Sequence, residues 1–105
     1  MSKLKFTLDP KPTFEMPVAL PVHGAGTVDV KFTFRHRTRD EMSAFMKSAP
    51  GRPDVDLIQD VATGWELDDP FDAKSIAKLA QNYVGAATAI VSTYIDEIGQ
   101  ARLGN

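Results

Sequence analysis

The groups in this chain able to bind, donate or attack are few. The histidines are His23, in a glycine-rich stretch, and His36, between two arginines. Neither has a third ligand at metal-like spacing, and no H-x-x-x-H pair exists. Ser43, Ser48, Ser75 and Ser92 sit in helix-like segments and lack the G-x-S-x-G frame that exposes a nucleophile. Gly24-Ala25-Gly26 supplies G-x-G alone, with neither a third glycine nor a following Lys-Ser/Thr to cradle a phosphate. Cysteine is absent, which excludes disulfides, thiolate metal sites and thiol catalysis. No nucleophile, base and orienting partner come together, so the chain does not read as an enzyme, and it calls for no cofactor and no metal.

Charge is the remaining chemistry. Glu66, Asp68, Asp69 and Asp72 form the densest carboxylate group, but the glycine and terminal glutamate of a calcium loop are missing. Asp72 is better placed as a helix N-cap. Lys31, Arg35, Arg37 and Arg39, with His36, form a basic stretch. On strand alternation Lys31, Arg35 and Arg37 share one face, and Phe32 and Phe34 point to the other. Those rings therefore cannot stack bases beside the charge, and nucleic-acid binding is the weaker use of this patch. Residues 1–52 carry nine basic and five acidic side chains, or +4, whereas residues 53–105 carry three and nine, or −6. The split suggests head-to-tail self-association, with Lys31, Arg35, Arg37 and Arg39 on one surface and Glu66, Asp68 and Asp69 on another. Trp65, beside that acidic loop, reads either as a buried anchor or as a partner contact.

The elements that hold these groups follow from periodicity. Leu4, Phe6 and Leu8 alternate with polar residues, as do Phe14, Met16, Val18 and Leu20, and then Val28, Val30, Phe32 and Phe34. Pro17 and Pro21 place the second stretch at a sheet edge, and His23 to Gly26 form a turn. Thr38 and Glu41 have capping-box spacing for a short helix with Met42, Phe45 and Met46 on one face. Asp54 is placed to cap a helix carrying Leu57, Ile58, Val61 and Ala62, which Gly64 would end. Asp72 is placed to cap a third, with Ile76, Leu79, Ala80 and Tyr83. After a break at Gly85, the widest apolar stripe runs through Ala86, Ala87, Ile90, Val91, Tyr94, Ile95 and Ile98. The expected class is α+β: a small N-terminal antiparallel three-stranded meander (residues 1–37) packed with a C-terminal bundle of about four helices (residues 38–105), in one domain over 1–105. The N-terminus does not read as a signal peptide, and no apolar run approaches the roughly 20 residues of a membrane span.

Several of these residues also line up with a family. Pro12-Thr13-Phe14, Pro17-Val18, the strand from Val28 to Thr38, Val61-Ala62-Thr63-Gly64-Trp65, Leu67, Phe71, Asn82-Tyr83, Tyr94 and Ala101-Arg102 resemble the phage tail assembly chaperones of long-tailed phages. Where members often have a proline after the tyrosine of the helix break, this chain has Val84. The resemblance covers nearly the whole chain and matches a short form. It implies a non-enzymatic protein of the host bacterial cytoplasm that binds the tape measure protein, helps recruit tail tube subunits, forms a homo-oligomer (ring or filament) and is absent from the mature virion. It implies no nucleic-acid or membrane partner. The competing readings are a structural tail or head–tail component retained in the virion and a small nucleic-acid-binding regulator.

The apolar face of Val28, Val30, Phe32 and Phe34 needs a cover, and Ile90, Tyr94 and Ile98 of the last helix are the widest stripe able to supply it. Phe32→Ala should therefore cost about 3–5 kcal/mol in chemical denaturation, as for a buried aromatic. A loss under about 1 kcal/mol would place Phe32 outside the core.

Overall fold

The strongest alternating stretch becomes the central strand of a three-stranded antiparallel sheet. A computed structural model describes residues 6–99 of the chain. Strand β1 (Thr13–Val22) pairs with β2 (Gly26–Arg35) in unbroken register, with Phe14 opposite Phe34, Met16 opposite Phe32 and Val18 opposite Val30. The turn between them closes with Ala25 N–H donating to Val22 O at 2.9 Å. Gly24 and Gly26 have φ near +80°, where a side chain would be strained. Pro17 and Pro21, four residues apart, project their nitrogens the same way. An unbroken ladder requires that way to be the free edge of β1.

The third strand is not the one read from Leu4, Phe6 and Leu8. Residues 6–8 form no strand, Phe6 and Leu8 are 80% and 87% exposed, and Lys3 to Lys5 lie outside the described residues. The open edge of β2 is taken instead by β3 (Ala62–Trp65), with Trp65 opposite Phe32, Gly64 opposite Thr33 and Ala62 opposite Phe34. A bulge between Thr33 and Phe34 absorbs Thr63. With β3 on one side and a proline-bearing edge on the other, the sheet offers the first segment no good partner.

Helices cover one face. Helix α1 (Arg39–Ser48) starts on the expected capping box: Glu41 N–H donates to Thr38 Oγ1 at 3.2 Å, and Thr38 N–H donates to Glu41 Oε1 at 2.8 Å. Helix α2 (Asp54–Val61) has Pro53 at its N-cap, so Asp54 is its first residue and not its cap. It ends at Val61, and Ala62 and Gly64 belong to β3. Pairing with β2 outweighs one further helical turn, because it satisfies the backbone groups of the β2 edge. Helix α3 (Ala73–Asn82) begins as expected, Ser75 N–H donating to Asp72 Oδ1 at 2.9 Å. Helix α4 (Ala86–Ile98) starts from Gly85, lies against β1 and packs on α2, which in turn packs on α3.

Tyr94, Phe32, Phe34, Ile58, Ile76, Ile90, Val18 and Val61 are the largest fully buried side chains. The Tyr94 ring lies 5.4 Å from Phe34 of β2, the one contact of the expected set seen among the described residues, and 6.3 Å from Phe14 of β1, the strand that α4 mainly lies against. Val28, at the hairpin end, escapes this cover and is 50% exposed.

The polar rim of the core is closed by Arg37. Beyond the end of β2 the alternation lapses, and Arg37 turns inward instead of joining Lys31 and Arg35 on the outer face. Its guanidinium donates to Tyr94 Oη at 3.0 Å, to Asp60 O at 3.3 Å and to Asp60 Oδ1 at 2.7 Å. It lies 4.6 Å from the centre of the Phe45 ring. Asp60 also accepts from Arg52 Nη1 at 3.0 Å, and Arg52 Nε donates to Asp56 at 2.6 Å. Burial opposes the charge of Asp60, but hydrogen bonds and charge from Arg52 and Arg37 outweigh it and hold the carboxyl below the usual aspartate range.

A folded-state pKa below the unfolded one means stability that is present above the unfolded value and lost as pH falls through the folded one. Asp60→Asn should lower stability at neutral pH by about 1.5–3 kcal/mol, the range for hydrogen bonds to charged groups. The difference between wild type and variant in thermal melts should narrow below about pH 4, the ordinary aspartate value. A gap that stays constant down to pH 2 would mean that the Asp60 charge is not responsible.

Candidate functional site

The sheet changes width along its length, and a groove opens where it does. Strands β1 and β2 are ten residues long, but β3 is four. The pairing stops at Trp65 opposite Phe32, with one further bond from Glu66 N–H to Lys31 O at 3.0 Å. Toward the hairpin turn the core face of β1 and β2 continues through Leu20, Val22, Val28 and Val30 with no third strand beside it. Helix α3 stands over this stretch without closing on it. Between them lies an open hollow of about 570 Å3, with Leu79 and Tyr83 on the α3 side and Trp65 and Leu67 as its end wall. The lining is mainly apolar, and Asp69, Ser75, Lys78 and Asn82 lie at its margin.

The connector that makes the end wall is built, not loose. The Trp65 ring meets Phe32 edge-on at 5.9 Å and Phe71 edge-on at 5.1 Å, and its Nε1–H donates to Asp69 O at 2.8 Å. The two rings pin the ends of the acidic loop, leaving Glu66, Asp68 and Asp69 exposed and Leu67 38% exposed.

The basic residues separate. Lys31 and Arg35 are on the outer face of the sheet, and Arg39 is exposed at the start of α1. Lys31 Nζ lies 3.7 Å from both Glu15 and Glu66, so it joins the acidic group of its own chain. Exposed pairs of this length contribute about 0–1 kcal/mol. Arg37 is occupied by Asp60 and Tyr94. Burial opposes its charge, but those two partners raise its pKa further above the usual arginine value. A second, shallower hollow of about 530 Å3 lies beside it, lined by Arg35, His36, Arg37, Glu41, Phe45 and Asp60 among others. Its strongest charges already neutralise one another.

The histidines remain apart. His23 is in the hairpin turn with its ring 6.0 Å from Tyr83, and His36 N–H donates to Pro12 O at 2.8 Å. Among the described residues, no three His, Cys, Asp or Glu converge on a point, and no helix is long and apolar enough to cross a membrane. The groove suits apolar side chains of another polypeptide. Sequence periodicity assigns Leu20, Val28, Val30, Leu79 and Tyr83 to the core, and only the shortness of β3 reveals that they line an opening. The pairing of Arg37 with Asp60 and Tyr94 left no local signal, because the partners are 23 and 57 residues away.

Trp65 is the chain's one tryptophan, and its emission reports directly on the groove. It should lie to the blue of free tryptophan, and Phe71→Ala should shift it to the red and increase quenching by iodide. Unchanged emission would show that Phe71 does not shield the ring.

No curated protein and no solved structure matches the chain. A family model described as phage tail assembly chaperone matches residues 1–105, the whole length. The match agrees with a fold whose open site suits contact with another polypeptide, and the chain belongs to the phage tail assembly chaperone family.

Proposed function

We propose that this chain is a non-enzymatic chaperone that binds the tape measure protein, keeps it soluble in the host cytoplasm, helps recruit tail tube subunits and leaves before the virion is complete. The observation that carries this reading is the groove, an open apolar surface through which copies can join into an array able to hold a client. Among the described residues no buried side-chain nitrogen or oxygen lacks a partner. A protein that works by contact needs such a surface, and one that makes or breaks bonds needs groups this site does not hold.

The chain acts as a homo-oligomer in this reading. A small protein can hold a long client only through many weak contacts, and self-association repeats each contact along the client's length. The groove serves the joining of copies, with Trp65 as its wall. Arg35 and Arg39 on one side, and Asp68 and Asp69 on the other, set the register. Lys31, Glu66 and Arg37 contribute less, because their charges are engaged within the chain. Exposed Met46 adds an adaptable contact for the client.

Co-expression tests the function. The tape measure protein of the same phage should sediment when produced alone and stay in the supernatant when this chain is produced with it. A tape measure protein equally soluble in both cases would end the chaperone reading. Purified virions probed for the chain should lack it, and its presence at stoichiometric level would favour a retained structural component.

A further inference from the structure

We infer that the groove is filled by the N-terminal arm of a second copy, with Phe6 and Leu8 of one chain seated on the apolar floor of the next. The inference rests on the self-association reading above and names the occupant of that site.

The arm carries the signature of a strand, but residues 6–8 pair with no strand among the described residues. Leu4, Phe6 and Leu8 alternate with Lys3, Lys5 and Thr7, a pattern that needs an apolar surface on one side. Phe6 and Leu8 are instead the most exposed large apolar side chains apart from Val84. The groove is a surface of the matching kind, with half-exposed Val28 and partly exposed Leu67 in its lining.

Reach and exposure together favour an intermolecular contact. The arm leaves the sheet at Thr13, opposite Arg35, whereas the groove lies toward the turn at the other end. From Thr13 to Leu20 along β1 is about 23 Å at the rise of a strand. Leu8 is five residues before Thr13, so a fully extended arm carries it no more than about 18 Å. Leu8 therefore cannot reach the floor of its own groove at Leu20 and Val28, and Phe6, which could only just span that distance, is 80% exposed in its own chain; a neighbour placed end to end brings arm and groove together.

Charge agrees. The arm carries Lys3, Lys5 and Lys11 against Asp9, and it emerges beside exposed Arg35. Exposed Asp69 lies at the groove margin with Asp68 next to it in the same loop, whereas Glu66 is turned to Lys31 on the outer face. An arm laid on that floor brings its net positive charge close to this acidic margin. Arm and groove are different surfaces, so the contact is heterologous, and repetition gives a ring if the rotation closes and a filament if it does not.

Two full-length variants test it, Phe6→Asp with Leu8→Asp in the arm, and Val28→Glu in the groove. All three positions are at least half exposed, so thermal melts should match wild type. By light scattering, wild type should form species larger than a dimer, and each variant alone should be a monomer. Mixed one to one, the variants should form a dimer and nothing larger, because the arm variant retains a groove and the groove variant retains an arm. Trp65 emission should change on mixing. If wild type assembles and the arm variant assembles equally, the arm is not the occupant, although self-association stands. If both variants are monomeric and their mixture stays so, the arm does not enter the groove. A groove variant that still assembles but no longer keeps the tape measure protein soluble would assign the groove to the client and overturn the inference. Wild type that is monomeric at every concentration would remove the self-association reading and this inference with it.

Discussion

Arg37 is the point on which the arrangement of this fold depends. Its guanidinium reaches Asp60 on α2 and Tyr94 on α4, and lies over Phe45 of α1. Three helices thus converge on one side chain placed just past the end of the central strand. The apolar core contributes most of the stability, since burying a large apolar side chain contributes about 1.5–3 kcal/mol and many are buried here. Apolar packing is non-directional, however, and admits neighbouring arrangements. A part-buried guanidinium with a carboxylate and a phenol at fixed distances admits far fewer. The net energy of such a pair is modest, because desolvation offsets the attraction. Its effect is to choose among packings that the core alone would tolerate. Arg52, bound to the second oxygen of Asp60, joins the loop before α2 to the same arrangement.

The central strand explains the rest. β2 is bonded on both sides over part of its length and on one side over the remainder. Where both neighbours are present, Phe32 and Phe34 are fully buried; where β3 has ended, Val28 is half exposed. The groove is thus a consequence of strand length, and needs no special residue to hold it open. Its walls are stiff, with a paired hairpin on one side, a helix on the other and a tryptophan locked between Phe32 and Phe71 at the end. A preformed apolar site of this kind loses little conformational entropy when it is filled.

The two ends of the sheet differ in chemistry as well as shape. The end at Thr13 and Arg35 presents exposed Lys11 and Arg35 with Phe6 and Leu8 uncovered; the other presents an apolar groove with Asp69 at its margin. Exposed charges are individually weak and act over roughly 8–10 Å at physiological salt. They therefore tune encounter and orientation, and apolar burial must supply the affinity. Lys31 shows the same limit within one chain, bridging Glu15 and Glu66 across the outer face while remaining exposed.

Local pattern was enough for the hairpin, the capped starts of α1 and α3, the break at Gly85 and the apolar stripe of α4. Each depends on residues within about one or two turns of one another, such as Thr38 with Glu41 or Asp72 with Ser75. The three-stranded count and the α+β class were also legible, but the identity of the third strand was not. Ala62 to Trp65 look like the end of a helix, because the reason for their extension is the unmet edge of a strand some thirty residues earlier. The same holds for Arg37, which strand alternation places on the outer face with Lys31 and Arg35. Alternation applies only while the backbone is a strand, and β2 ends at Arg35. The acidic loop and Trp65 were visible as residues, but the groove they border was not, since a hollow is a property of how far one strand outruns another. Sequence by itself determined which side chains are apolar and in what period; the tertiary structure decided which of them remain uncovered, because coverage depends on neighbours that meet only when the chain folds.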